Sequence, residues 1–168
     1  MNQTIEKTTL SNLVFNEDYC RKVLPFIKPD YFDIKEEKVV FEEIIKFVDK
    51  YKKIPTKTSL EIEIEHRKDL TEVEHDKVVE LIQSLNPAEV DFDWLVDTTE
   101  KFCKDKAIYN AVVEGISIID GKDKNRTPDS IPSILTDALA VSFDNAVGHD
   151  YLLDSDSRFE FYHRVEER

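Results

Sequence analysis

Apolar residues recur every three or four positions along most of this chain, and the breaks between runs carry helix caps and prolines. Thr4 opens the first run, which holds Ile5, Leu10, Leu13, Val14 and Phe15, and Asn16-Glu17-Asp18 interrupts it. A second short run extends from Tyr19 to Ile27, with Pro25 near its end. Pro29-Asp30-Tyr31-Phe32 reads as a turn that plants two aromatics. From Ile34 to Tyr51 the pattern is widest: Val39, Val40, Phe41, Ile44, Ile45, Phe47 and Val48 form a stripe, with Glu and Lys covering the rest. Ile54-Pro55 ends it, and Thr56 or Thr58 can cap the next helix. Leu60 to Glu65 alternates with a period of two, which is a strand signal. The stretch is short and has no partner strand, so a helix is expected there. Thr71-Glu-Val-Glu74 is a capping box for a helix to Leu85, which Asn86-Pro87 ends.

The longest run follows, from about Phe92 to Asp120, with Asp91 or Asp93 to cap it and Gly121 to close it. A polar loop, 122–128, leads to a returning helix expected over Ile131 to Phe143, with Pro132 in its first turn. A long helix, a short loop and a returning helix make an antiparallel hairpin. Ile108, Ala111, Val112, Ile116 and Ile119 on the first arm, with Ile134, Leu135, Ala138 and Leu139 on the second, are more apolar surface than one short partner helix covers. A second copy of the chain is the economical cover, so these nine residues are the candidate subunit interface. Beyond a loop at 144–150, Asp154 to Ser157 offer caps for a last amphipathic helix with Phe159, Tyr162 and Val165 on one side. A helix this short gains its stability by docking. Arg158, Phe159, Tyr162 and Val165 are therefore candidate docking residues of a linker helix whose second domain is missing from the sequence. The expected fold is all-α: a compact helical bundle (1–90), a protruding antiparallel hairpin for subunit pairing (91–143), and a linker with its helix (144–168).

Composition agrees with this reading. Three glycines in 168 residues are too few for the turns and bulges of an all-β fold. Twenty-three Lys and Arg against 36 Asp and Glu give a net charge of −13. That disfavours a broad grip on a nucleic-acid backbone, which needs basic side chains. Cys20 and Cys103 each sit in an apolar helical pattern and read as buried free thiols of a reducing compartment. No apolar leader and no membrane-length run is present, so the cytoplasm is the expected location and no membrane partner is expected.

Candidate chemistry is sparse. His66 and His75 lie near Glu63, Glu65, Glu72 and Glu74, but the spacing of a helical metal motif is absent, and solvated charged faces account for them. His149 and His163 read as polar contacts. Asp154, Asp156 and Glu160 lack the glycine and spacing of a calcium loop, and capping explains them. Lys50, Lys52, Lys53 and Lys57 form the one basic cluster; a solvated helix end explains it better than a phosphate contact. No catalytic, cofactor-binding or metal-binding set emerges.

Several segments, in order, resemble the N-terminal region of DnaB-type hexameric replicative DNA helicases, in particular the T-even phage branch. They are Leu10-Ser-Asn-Leu-Val-Phe-Asn16, Lys22-Val-Leu-Pro-Phe26, Tyr31-Phe32, Trp94-Leu-Val-Asp-Thr-Thr-Glu100, Ile108-Tyr-Asn-Ala111, Ile131-Pro132 with Ala138 to Asp144, and Val147-Gly-His-Asp150. The resemblance implies a collar in which hairpins pair subunits, pairs build a hexameric ring, and linker helices dock on neighbouring ATPase domains. It also implies primase and helicase loader as partners near the collar, and single-stranded DNA held by the parent ring. ATP and Mg then belong to the missing domain, because no G-x-x-x-x-G-K-[ST] loop occurs here. This chain is expected neither to hydrolyse ATP nor to unwind DNA alone. The alternative is a free-standing helical adaptor or scaffold. An all-α enzyme is disfavoured, since no constellation supports one.

Overall fold

The structure, a computed structural model, describes residues 4–143. Seven α-helices and no strand occur among them, so the all-α expectation holds. The expected linker and its helix, with Arg158, Phe159, Tyr162 and Val165, lie outside the described residues.

Helix α1 (Ile5–Phe15) starts at Thr4, whose hydroxyl accepts from the Lys7 N–H. Asn16 then serves two helices. Its backbone N–H closes α1 on the Asn12 carbonyl, and its side chain accepts from the Tyr19 N–H, opening α2 (Glu17–Val23). The polar triplet expected to be a break is thus a one-residue corner, and α2 begins two residues earlier than Tyr19. Pro25 confines the following residues to a 3-10 turn, and a second 3-10 turn at Pro29–Tyr31 buries Tyr31. Phe32, next to it, packs on Phe41 and Phe102 with ring centroids 5.1 and 5.7 Å apart.

Helix α3 (Lys35–Tyr51) is the centre of the bundle, burying Val39, Val40, Phe41, Ile44 and Val48. It ends on Lys52 in the left-handed region, φ 59°. The alternating segment is helix α4 (Lys57–Glu65), held by a reciprocal cap between Thr56 and Ser59. Leu60 and Ile64, one turn apart, are fully buried, and Ile62 faces solvent. Helical spacing therefore uses two of the three apolar residues of the alternation. Helix α5 (Glu72–Ser84) opens on the Thr71–Glu74 capping box and buries Val78 and Ile82.

Between α3 and α4 lies a polar device that periodicity does not reveal. The Glu43 carboxylate is 1% exposed and receives Arg67 Nη1 at 3.0 Å and Lys46 Nζ at 3.0 Å. Arg67 also reaches Glu42 and Asp69, and its guanidinium holds the Asp69 carboxyl down at about 2. A buried carboxylate without such partners would be strongly destabilising.

Helix α6 (Phe92–Ile119) runs through both the bundle and the hairpin. Its first half buries Leu95, Val96, Thr99, Phe102 and Cys103 in the common core. Thr99 gives its one hydroxyl proton to the Leu95 carbonyl at 2.8 Å, so the buried Tyr19 hydroxyl donates to Thr99 Oγ1 at 2.6 Å. This bond ties α2 to α6. Cys20 and Cys103 are buried free thiols, each pushed up to about 12 by burial. A third 3-10 turn, Pro128–Ser130, leads into the return helix α7 (Ile131–Leu139).

The return helix stops at Leu139 and not at Phe143. The Phe143 N–H and the Ser142 hydroxyl both donate to Glu100 Oε2, at 3.0 and 3.1 Å. The Phe143 ring stacks on Phe26, centroids 4.7 Å apart. These contacts from distant elements outweigh continuation of the helix.

Candidate functional site

The hairpin is built from small residues inward and large ones outward. Ala107, Ala111, Gly115 and Ile118 recur at helical spacing on α6 and are buried. Gly115 lies against α7 with room for a methyl: a Cβ there would meet Ile131 Cγ2 at 3.6 Å, an ordinary contact. Ala138 is buried in the same seam, and Ile134 and Leu135 are half-buried against the core. The turn is fixed by Gly121, at φ 79°, whose N–H reaches the Ile118 carbonyl at 3.1 Å. Arg126 pairs with both Glu114 and Asp123 across the turn. The Asn125 N–H and then the Arg126 guanidinium hold the Asp123 carboxyl below its usual range.

Of the nine interface candidates, the described structure leaves five facing out: Ile108, Val112, Ile116, Ile119 and Leu139. Ile116 is 53%, Ile119 67% and Leu139 69% exposed. Ala111 and Ala138 are instead buried within the single chain, as part of its common core. Tyr109 and Val113 widen the exposed stripe and escaped the sequence reading. The signal for them was available: on a helix they flank Val112 and Ile116. The stripe of Ile108, Tyr109, Val112, Val113, Ile116 and Ile119 contains no charged side chain.

The hairpin's base is anchored. Lys106 Nζ pairs with Asp33 at 2.6 Å, and the Asn110 side-chain amide donates to the Asp30 carbonyl at 3.1 Å. The first arm is therefore held to the 3-10 turn of the bundle and cannot swing freely.

Of the other residues singled out in the sequence, His149, His163, Asp154, Asp156 and Glu160 lie outside the described residues. His66 is the exposed C-cap residue of α4, and His75 lies 3.7 Å from Asp76 at the surface. Lys57 donates to the Gln83 carbonyl and lies 5.9 Å from the Phe15 ring centre, and Lys50 lies against Tyr51. Lys50 and Lys57 thus make separate local contacts, and Lys52 is the left-handed C-cap of α3.

Residues 1–93 match the family described as the DnaB-like helicase N terminal domain. A DnaB-like replicative helicase of Enterobacteria phage T4 is 34% identical over 161 residues. The chain belongs to the DnaB-like helicase N-terminal domain family. The alignment with the T4 relative covers 91% of this chain, so it takes in the hairpin as well as the bundle. The chain spans about a third (34%) of that relative's length. Membership in the DnaB-like family disfavours the free-standing adaptor. No helix among the described residues is long and apolar enough to cross a membrane.

Proposed function

We propose that this DnaB-like N-terminal domain is the collar of a ring-forming replicative DNA helicase and that its hairpin pairs two copies. The observation that carries the reading is the uncharged apolar stripe on the outer face of α6, with Leu139 exposed on α7. Burying these side chains against a second copy removes apolar area from water, the main favourable term in association. The absence of charge on the stripe matters because each copy carries −13 overall. Two such chains repel each other, and a neutral contact surface adds no further repulsion at close range.

In this reading, pairs of chains build a hexameric ring. The segment bearing Arg158, Phe159, Tyr162 and Val165 docks on a neighbouring ATPase domain, which binds ATP and Mg. Primase and a loader meet the collar, and single-stranded DNA is held by the ring as a whole. The chain itself holds no cofactor and performs no catalysis. It works in the cytoplasm of the cell in which replication occurs.

The test is oligomeric state. Wild-type protein should sediment as dimers or larger species, and Ile116→Asp should be monomeric with an unchanged helical spectrum. The substitution places a charge at the centre of the proposed contact and touches no residue of the described core. A wild type that stays monomeric at high concentration refutes the pairing.

A further inference from the structure

The return arm ends without a stop signal of its own. From Leu139 to Phe143 the sequence holds no Gly and no Pro. The residue that closes α7, Ala140, is itself in the right-handed region, at φ −86° and ψ −2°. Its N–H is shared between the Thr136 and Asp137 carbonyls, at 3.1 and 3.3 Å, as in a helix that is only beginning to tighten. The first arm ends differently. There Gly121, at φ 79°, turns the chain out of the helix. Nothing local does so at Ala140.

Residues 142 and 143 are held out of the helix by contacts from far along the chain. Glu100 Oε2, on α6, accepts from the Phe143 N–H at 3.0 Å and from the Ser142 hydroxyl at 3.1 Å. Lys104 Nζ stands 3.9 Å from the same oxygen. The buried Phe143 ring stacks on the half-buried Phe26, centroids 4.7 Å apart. The Phe143 N–H thus has two alternative acceptors. One is Glu100, where it is now; the other is the Leu139 carbonyl, if α7 winds on by a turn. Neither arrangement leaves this donor unpaired, so the balance lies between one carboxylate with one ring stack and the continuation of a helix.

We propose that residues 140–143 form a two-state latch. In the latched state, the one observed, Glu100 and Phe26 hold Phe143 on the bundle. In the wound state α7 runs on to Phe143, which then stands one turn beyond Leu139, on the side where Leu139 is exposed. The segment thereby sets the point from which the chain departs after Phe143: beside Phe26 on the bundle, or from the end of the return arm. Exposing Phe143 and uncovering Phe26 costs apolar burial, which keeps the wild-type chain latched. The latch stands on Phe26, Glu100, Ser142 and Phe143, none of them in the pairing stripe, so failure of either reading leaves the other intact.

The test is the backbone conformation of residues 141–143 in the whole chain, read by NMR from their Cα shifts. Wild type should give non-helical shifts there, with a contact between the Phe26 and Phe143 rings. Glu100→Ala with Phe143→Ser removes both holds. Ala suits the interior of α6, and Ser has about the helix propensity of Phe, so helix gained at 141–143 comes from loss of the latch. The Cα resonances of these residues should move to helical values. Adding Ala140→Gly should reverse the move, because Gly disfavours a helix interior. Glu100→Gln keeps the size of the side chain and removes its charge. It should move the same resonances part of the way, and it carries the test if the double variant does not fold. The Ile116→Asp protein should match wild type at these positions. Wild-type shifts in the Glu100 variants overturn the proposal. So do random-coil shifts, which mean that the contacts order a segment with no helical alternative.

Discussion

Glu37, in the first turn of α3, illustrates how little of a residue's behaviour its neighbours in sequence reveal. In the sequence it is one of many glutamates on a helix. In the fold it is buried, with Glu6, Asp33 and Glu36 nearby and Lys7 the compensating cation. Burial, and then those carboxylates, push its pKa from 4.5 to about 7. A raised carboxyl pKa means the unfolded chain ionises more readily than the folded one. The protonated form therefore contributes stability fully below about pH 4.5, and that contribution is lost as pH rises through about 7. Glu37→Gln should accordingly raise stability at pH 8 by up to roughly 3 kcal/mol, at about 1.4 kcal/mol per pKa unit. The gain should shrink towards zero near pH 4.5. Urea unfolding of both proteins across this range measures it, and a gain independent of pH would mean that Glu37 is not the titrating group. Asp69, held at about 2 by Arg67, is shifted the other way: its ionised form contributes stability above the ordinary carboxyl range, and that contribution is lost as pH falls towards 2.

At the scale of elements, the hairpin's closeness rests on small side chains at the seam. Gly115 looks at first like a residue that only Gly can be. Its backbone is ordinary helix, however, and an added Cβ meets Ile131 at an ordinary contact distance of 3.6 Å. Gly115→Ala should therefore stabilise the protein by about 0.5–1 kcal/mol, the helix-propensity difference, with no change in oligomeric state. A thermal melt decides it; a loss of stability would show that the seam has no room for a methyl group beside Ile131. Gly121 is the contrast. Its φ of 79° is one that side chains resist, and its freedom is what lets the first arm turn into the second.

For the molecule as a whole, charge sets the expected relation to nucleic acid. The net charge of −13 sets the chain as a whole against a polyanion. Single-stranded DNA should bind weakly, and the little binding present should fall as salt is raised, because it rests on electrostatic contacts with phosphate. Fluorescence anisotropy with a labelled oligonucleotide tests this. Tight binding that survives high salt would require a basic surface assembled between copies.

The sequence by itself determined the helical elements, because their information is local. Caps at Thr4, Thr56, Thr71 and Asp91, prolines at the breaks and the spacing of apolar residues each act within a turn or two of chain. The Leu60–Glu65 segment was decided the same way, by the cap before it and the lack of a strand to pair with. The ordered likeness to DnaB-type helicases was also legible, and it holds. Tertiary structure alone decided what depends on residues far apart in the chain. Glu43 and Arg67, Tyr19 and Thr99, and Glu100 and Phe143 meet because helices pack, and no local period records such meetings. The same reason divides the candidate interface. Periodicity placed Ala111 and Ile116 in one apolar set, but only the packing of the helices buries Ala111 in the core and leaves Ile116 facing out.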